Sequence, residues 1–173
     1  MFIKISKLSS LGLILVFIPF LAYSQPRHSK GQSMIGCTFG LGDRSQIYGL
    51  SYQYYLHDTK SIKASALFDK TSFDLTKYHA FSLKPEFYYT VLTNNKNRFL
   101  NLKAGAFAGS EFWANEVFKK TNRVYFGVDI GSSLEIYIFP RLKLEFEIEQ
   151  QFLSRSLLAH HRFLAQLGTM FTF

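Results

Sequence analysis

Cysteine and proline are scarce, with one Cys and four Pro among 173 residues. A lone Cys37 cannot close an internal disulfide, which excludes a disulfide-stapled fold; it reads as a small apolar strand residue. Metal-ligand spacing is missing too. His160 and His161 are adjacent and point apart on an extended chain, and no other His, Cys, Asp and Glu grouping resembles a metal site. Gly36, Gly40 and Gly42 fall on and after a strand pattern with no helix pattern behind it, so no phosphate-cradling loop is present. Lys and Arg outnumber Asp and Glu by 20 to 12, yet they are scattered, with no basic run or basic helix face. Direct nucleic-acid binding is therefore not expected. Beyond the first 24 residues no apolar run approaches the ~20 residues of a spanning helix, which argues against a helical inner-membrane protein.

The first residues read as an export signal. Two lysines precede an apolar run over 11–22, and Ala22 and Ser24 put small residues at the −3 and −1 positions of a cleavage site. Residues 1–24 are expected to be a signal peptide cut after Ser24. An uncleaved anchor is opposed by the short run and by Pro19 inside it. Residues 25–32 are polar and read as a flexible lead-in. The remainder, 33–173, is expected to form one domain.

What is abundant is aromatic and alternating. Aromatic residues are 17% of the chain, almost all Phe and Tyr, a bias that suits strands and bilayer interfaces. From 141 to 152 the sequence sets Leu142, Leu144, Phe146, Ile148 and Phe152 on one parity. Arg141, Lys143, Glu145, Glu147, Glu149 and Gln151 take the other. Such a strand has one apolar and one charged face. A soluble sheet would turn its charges to water, and a transmembrane barrel would turn them to a polar lumen.

Eight segments alternate in this way: 33–41, 46–56, 61–71, 78–92, 98–112, 122–139, 141–152 and 161–173. A bulge is expected at Pro85, which cannot donate to a ladder. Three features favour lipid over water. The segments are as long as the 9–11 residues that cross a bilayer at a tilt, or longer. Short connections (57–60, 93–97, 139–141) alternate with the longer 112–122 and 153–160, as in barrels with periplasmic turns and external loops, although the first connection on the longer side, 42–45, is itself short. Phe173 ends the last alternating strand, resembling the terminal aromatic signature of outer-membrane barrels. The expected fold is all-β, an eight-stranded antiparallel up-and-down transmembrane β-barrel in the outer membrane, with lipid as its surroundings.

That parity aims Lys63, Asp69, Lys84, Glu86, Lys103, Glu111, Asp129, Glu135, Lys143, Glu145, Glu147, Glu149, Arg162 and Gln166 into the lumen. Eight strands leave an interior that side chains can fill. The expectation is a mixed-charge network, centred on Lys143, Glu145, Glu147 and Glu149, that plugs the barrel rather than a selective pore. The three glutamates also suggest acid–base chemistry, but same-face neighbours stand roughly 7 Å apart and no cleft is implied. Ser154, Ser156, His160 and His161 could be assembled into a barrel lipid hydrolase, though loops carry Ser and His for solvation alone. No enzymatic activity and no cofactor are expected. Phe112, Trp113, Val117 and Phe118 make the 112–122 segment oily; it either packs over the barrel mouth or offers a docking patch to a partner protein.

The leader ending A-Y-S-Q, the strand G-L-S-Y-Q-Y-Y-L, K-P-E-F-Y-Y-T-V-L, L-N-L-K-A-G-A-F-A-G and the ending L-G-T-M-F-T-F together resemble the TraO family. These are small exported proteins encoded in conjugative transposons of the Bacteroides group. The resemblance covers nearly all of the chain after the leader, in order, spacing and length. It implies a structural or docking component of the conjugal DNA-transfer apparatus at the outer membrane, with other transfer proteins as partners. It carries no catalytic motif. The alternative is a general small outer-membrane barrel for adhesion or envelope integrity.

Overall fold

A strand with one apolar and one polar row can hide the polar row from lipid only if the sheet curls and closes. The computed structural model describes residues 28–42, 45–73, 76–94, 97–115, 121–156 and 160–173. Among them are eight strands: β1 (Ser33–Gly42), β2 (Gln46–His57), β3 (Lys60–Phe73), β4 (Thr76–Asn94), β5 (Arg98–Asn115), β6 (Thr121–Phe139), β7 (Leu142–Ser154) and β8 (His161–Thr172). Each pairs antiparallel with its neighbours in sequence. β1 pairs with β8 through Ile35↔Phe171 and Phe39↔Leu167, closing the barrel. Connections 58–59, 95–97 and 140–141 lie at one end, with the start of β1 and the finish of β8; this is the turn end. Connections 43–45, 74–75, 116–120 and 155–160 lie at the loop end.

Two expectations about the strands need correction. No residue is inserted at Pro85: the β4–β5 register has the same offset at Leu83↔Ala108 and at Glu86↔Gly105, and Pro85 pairs with Ala64. The register shifts lie instead at Tyr55/His57, Thr90/Leu92 and Tyr137/Phe139, all toward the turn end, where bulges help a ladder bend into a tight reversal. Second, the 112–122 segment is not a loop throughout. β5 runs on to Asn115 and β6 starts at Thr121, with Phe112↔Asn122 and Trp113↔Thr121 paired. Beyond the bilayer both faces of a hairpin are wetted, so alternation fades while ladder bonds continue.

The outward rows are apolar. At the loop end Phe39, Tyr48, Phe68 and Phe81 are directly paired across four strands, forming a continuous aromatic girdle. From Phe81 to Val91 the outward row of β4 covers about 33 Å of strand, or about 25 Å along a membrane normal at a tilt near 40°. Ile35, Leu50, Leu83, Leu102, Ile130, Phe146 and Leu167 are among the exposed side chains of this belt. Within it, among the described residues, only Ser132, Gln150 and Thr169 are polar outward residues on β6–β8, and none is charged. An apolar surface that encircles the molecule calls for lipid, not water.

Inside, three small apolar clusters bracket the polar middle. Met34, Tyr55, Phe99, Tyr137 and Met170 fill the turn end. Tyr78, Ala80, Phe107, Tyr125 and Leu153 fill the loop end, and Ile47, Leu67 and Leu164 form a third group. Gly127 shows how tightly the wall is filled. A Cβ there would lie 2.3 Å from the Phe152 carbonyl oxygen and 2.4 Å from Phe107 Cζ.

Candidate functional site

Strand β7 supplies the centre of the lumen. Period two sends Lys143, Glu145, Glu147, Glu149 and Gln151 inward as one column, none of them more than 1–2% exposed. The neighbours of β7 in the sheet are β6 and β8. The cations that meet its column come from β3, β4 and β5, so their ion pairs cross the barrel. Lys63 Nζ donates to Glu145 Oε2 at 2.9 Å and also to Glu147. Lys84 Nζ reaches Glu149 at 2.8 Å and Glu86 at 3.1 Å. Lys103 Nζ is shared by Glu86 at 3.0 Å, Glu147 and Glu149. Tyr88 lies beneath two of these ammonium groups, with Lys63 and Lys103 at 5.6 and 5.8 Å from its ring centroid, and its hydroxyl donates to Glu147 at 3.0 Å.

Both flanks extend this network. Toward the turn end Lys143 pairs with Glu135 at 2.9 Å and donates to Gln53 Oε1 at 2.6 Å and to the Tyr55 hydroxyl at 3.2 Å. Toward the loop end Arg162 pairs with Asp69 and donates through Nε to Gln151 Oε1 at 2.7 Å. Every one of Lys63, Asp69, Lys84, Glu86, Lys103, Glu111, Asp129, Glu135, Arg162 and Gln166 is no more than 8% exposed. Among the described residues the barrel wall turns eight buried carboxylates and five buried cations into the lumen. Asp129 stands apart: neither of its carboxylate oxygens has a hydrogen-bond partner among the described residues.

This arrangement disfavours the chemistry its residue types could otherwise do. Oxygens of Glu86, Glu147 and Glu149 lie within 4.8 Å of one another, a spacing that would suit a metal ion. The Lys103 ammonium already bonds to all three. A general acid or base needs a substrate within hydrogen-bond reach, and these carboxylates are enclosed by lysines and the barrel wall. Of the other candidates, Ser154 is exposed at the end of β7, the Ser156 hydroxyl donates to Glu111 at 3.1 Å, and His160 and His161 are exposed.

The oily segment divides between two faces. Trp113 turns inward, packs on the loop-end cluster and meets the Tyr78 ring edge-on at 6.2 Å. Phe112 faces outward and is 49% exposed. Val117 and Phe118 lie outside the described residues, as do 1–27, where the signal peptide was expected.

Sequence reasoning missed the plug at the turn end. His28, within the stretch expected to be a flexible lead-in, is 4% exposed. It stacks on Phe99 at 3.7 Å between ring centroids, and its Nε2 donates to Glu135 Oε2 at 2.8 Å. Gly31, with φ of 85°, turns the strap so that its N–H reaches the Tyr55 carbonyl at 2.8 Å. The available signal was parity. Tyr55 follows Gln53 and Tyr137 follows Glu135 on the polar rows, marking aromatics that point inward.

A closed eight-stranded wall, a charge-filled lumen and an apolar exterior together decide the comparison. The chain has the fold of the small outer-membrane β-barrels. The N-terminal barrel domain of Pseudomonas aeruginosa OprF superposes with a TM-score of 0.65 at 17% identity, over 83% of this chain and 98% of that one. Ail, the attachment invasion locus protein of Yersinia pestis, gives 0.56 at 16%, covering 83% and 99%. Neisserial surface protein A gives 0.59 at 10%, covering 82% and 95%. No protein-family model and no curated protein sequence matches the chain.

Proposed function

We propose that this protein is a non-enzymatic barrel of the outer membrane that serves envelope integrity or attachment and carries no solute through its lumen. The observation that supports this most directly is the set of ion pairs from β7 to β3, β4 and β5. It fills the middle of the lumen, among the described residues, with groups already bonded to one another. An attachment role draws support from Ail, whose name describes attachment and invasion, and from the extension of β4, β5 and β6 to 18 or 19 residues, past the apolar belt. The test combines fractionation with migration. Protein extracted from outer membranes should run faster unboiled than boiled, and it should add no conductance to planar bilayers. Equal migration would end the barrel reading, and stable single-channel steps would end the closed-lumen reading.

A second reading rests on the TraO-like segments at 49–56, 84–92, 100–109 and 167–173. In it the barrel is a structural or docking part of a conjugal transfer apparatus. An in-frame deletion in a donor, with and without complementation, decides between the two. A complemented loss of mating places the barrel in transfer; unchanged mating with increased sensitivity to detergent leaves it as a general envelope protein.

A further inference from the structure

Charge is sorted by face. While the lumen holds more carboxylates than cations, the exposed charged residues among those described are seven cations and one carboxylate, Asp58. Lys70, Arg123 and Arg155 lie at the loop end; Lys30, Lys60, Arg98 and Arg141 lie at the turn end. Among the described residues no exposed acid lies near the loop-end group, so the described part of this rim presents positive charge just where the apolar belt stops.

One row of that rim runs in register across five strands. Gln46, Lys70, His79, Phe112 and Asn122 are directly paired from β2 to β6, and all face outward. They stand one rung above Tyr48, Phe68, Phe81, Ser110 and Val124, the row that contains the girdle. Directly opposed side chains on such a row have Cβ atoms about 5 Å apart, close enough to share one ligand. The acceptors of the row are already used. Gln46 Oε1 accepts from the Tyr48 hydroxyl at 3.1 Å, and Asn122 Oδ1 accepts from Ser110 Oγ at 3.1 Å. What each amide presents beyond those bonds is its NH₂ group. Lys70 adds an ammonium with no ion pair among the described residues. His79 stacks on Phe68, with rings 5.8 Å apart; its Nδ1 is buried without a hydrogen-bond partner among the described residues, which leaves Nε2 as the ring nitrogen that can donate to a headgroup. The result is a row of donors around one cation, at headgroup height.

We propose that Gln46, Lys70 and His79 form a binding row for the phosphate of an anionic lipid headgroup in the leaflet at the loop end. This rests on the outer-membrane reading above and adds to it a lipid class and a location. Lys70 supplies charge, Gln46 and His79 supply flanking donors, and the girdle beneath receives the first segments of the acyl chains.

The full chain would be folded into vesicles of phosphatidylcholine alone, phosphatidylcholine with phosphatidylglycerol, and phosphatidylcholine with lipid A. Heat-modifiable migration in pure phosphatidylcholine reports the barrel, and native mass spectrometry reports retained lipid. Three proteins are compared: wild type, Lys70→Gln/His79→Gln, and Lys60→Gln/Arg98→Gln at the opposite end. Wild type should retain anionic lipid over phosphatidylcholine, and the Lys70/His79 variant should lose about fivefold or more of it, the contribution of one lysine at an anionic surface. The turn-end variant should keep that loop-end selectivity. Stronger retention of lipid A than of phosphatidylglycerol identifies the phosphomonoester as the preferred group, and equal retention identifies any phosphate. Equal retention in all three proteins, equal losses in both variants, or a wild type that folds without anionic preference overturns the proposal. So does inorganic phosphate that displaces the lipid at millimolar concentration. Loss of heat modification in the wild type would instead strike the barrel reading itself.

Discussion

Lys103 and Ala104 are neighbours on β5 whose side chains leave the wall in opposite directions, and the two faces impose opposite rules. Inside, Lys103 is one of five cations set among eight carboxylates, and it is held by three of them. Outside, Ala104 belongs to a row where Leu102, Ala106 and Ala108 need no polar partner at all. The lumen therefore depends on specific pairing across the barrel, and the belt depends only on excluding charge. A single-residue shift in strand register would exchange the two faces, which is why the period-two pattern pins the register so firmly.

The sharpest way to break this contrast is to empty the inner side. Lys103→Leu should cost about 3–5 kcal/mol, because it leaves Glu86, Glu147 and Glu149 facing one another without the ammonium they share. The measurement is the urea midpoint for loss of the fast-migrating band in vesicles. A change under about 1 kcal/mol would mean that water or another cation substitutes freely for the lysine. The converse change one residue along, Ala104→Arg, should cost about 2–4 kcal/mol by placing charge against the bilayer core. If the second substitution were tolerated as well as Ala104→Leu, the outward row would not face lipid.

The same contrast explains what could be read from the chain directly. Alternation depends on neighbours two residues apart, so the inward rows of β5, β6 and β7 are visible in Lys103, Glu135 and Glu145 without any structure. Partner choice is not local. That Lys103 meets Glu86, Glu147 and Glu149 together depends on the stagger and closure of the barrel, which no short segment encodes. Strand ends were hidden for another reason: the sequence at the ends of Thr76–Asn94 and Arg98–Asn115 has polar residues on both rows, such as Thr76 and Lys77 or Thr93 and Asn94, so period two loses its contrast there. The inward aromatics Tyr55 and Tyr137 were legible only through the parity of Gln53 and Glu135, because a phenol by itself suits either face. His28 carried no periodic signal at all, lying in a stretch too short to have one.

His28 offers a milder test, at the turn end, of how far the lumen's rules extend beyond the strands. His28→Ala removes the donor to Glu135 and the ring stacked on Phe99. The expected cost is about 1–3 kcal/mol, since Glu135 keeps Lys143 and Tyr55 as partners. Limited proteolysis should then cut the strap before Ser33 much faster than in wild type, with the barrel core intact. On the proposed closed-lumen reading, conductance should stay absent, because the β7 network is left intact. Unaltered proteolysis would mean that the strap is held by its backbone bonds through Gly31 rather than by the histidine.

The smallest expected effect is the most discriminating, because it reverses sign. If lumen carboxylates are tolerated only in proportion to their partners, then Asp129 is the one the barrel can best do without. Its two oxygens find no donor among the described residues, and Oδ2 already lies 2.9 Å from where a Cβ on Gly105 would stand. Asp129→Asn keeps the shape and removes a charge from an interior that holds eight carboxylates to five cations. It should stabilise the barrel by up to about 1 kcal/mol, the amide still being incompletely bonded. The matching change at a fully partnered site, Glu147→Gln, should destabilise, because Lys63 and Lys103 each lose a counter-charge. Opposite signs from two isosteric neutralisations in one lumen would show that pairing, not acidity, is what the interior requires. Two losses of similar size would instead show that Asp129 holds a bridging water whose bonds the carboxylate needs.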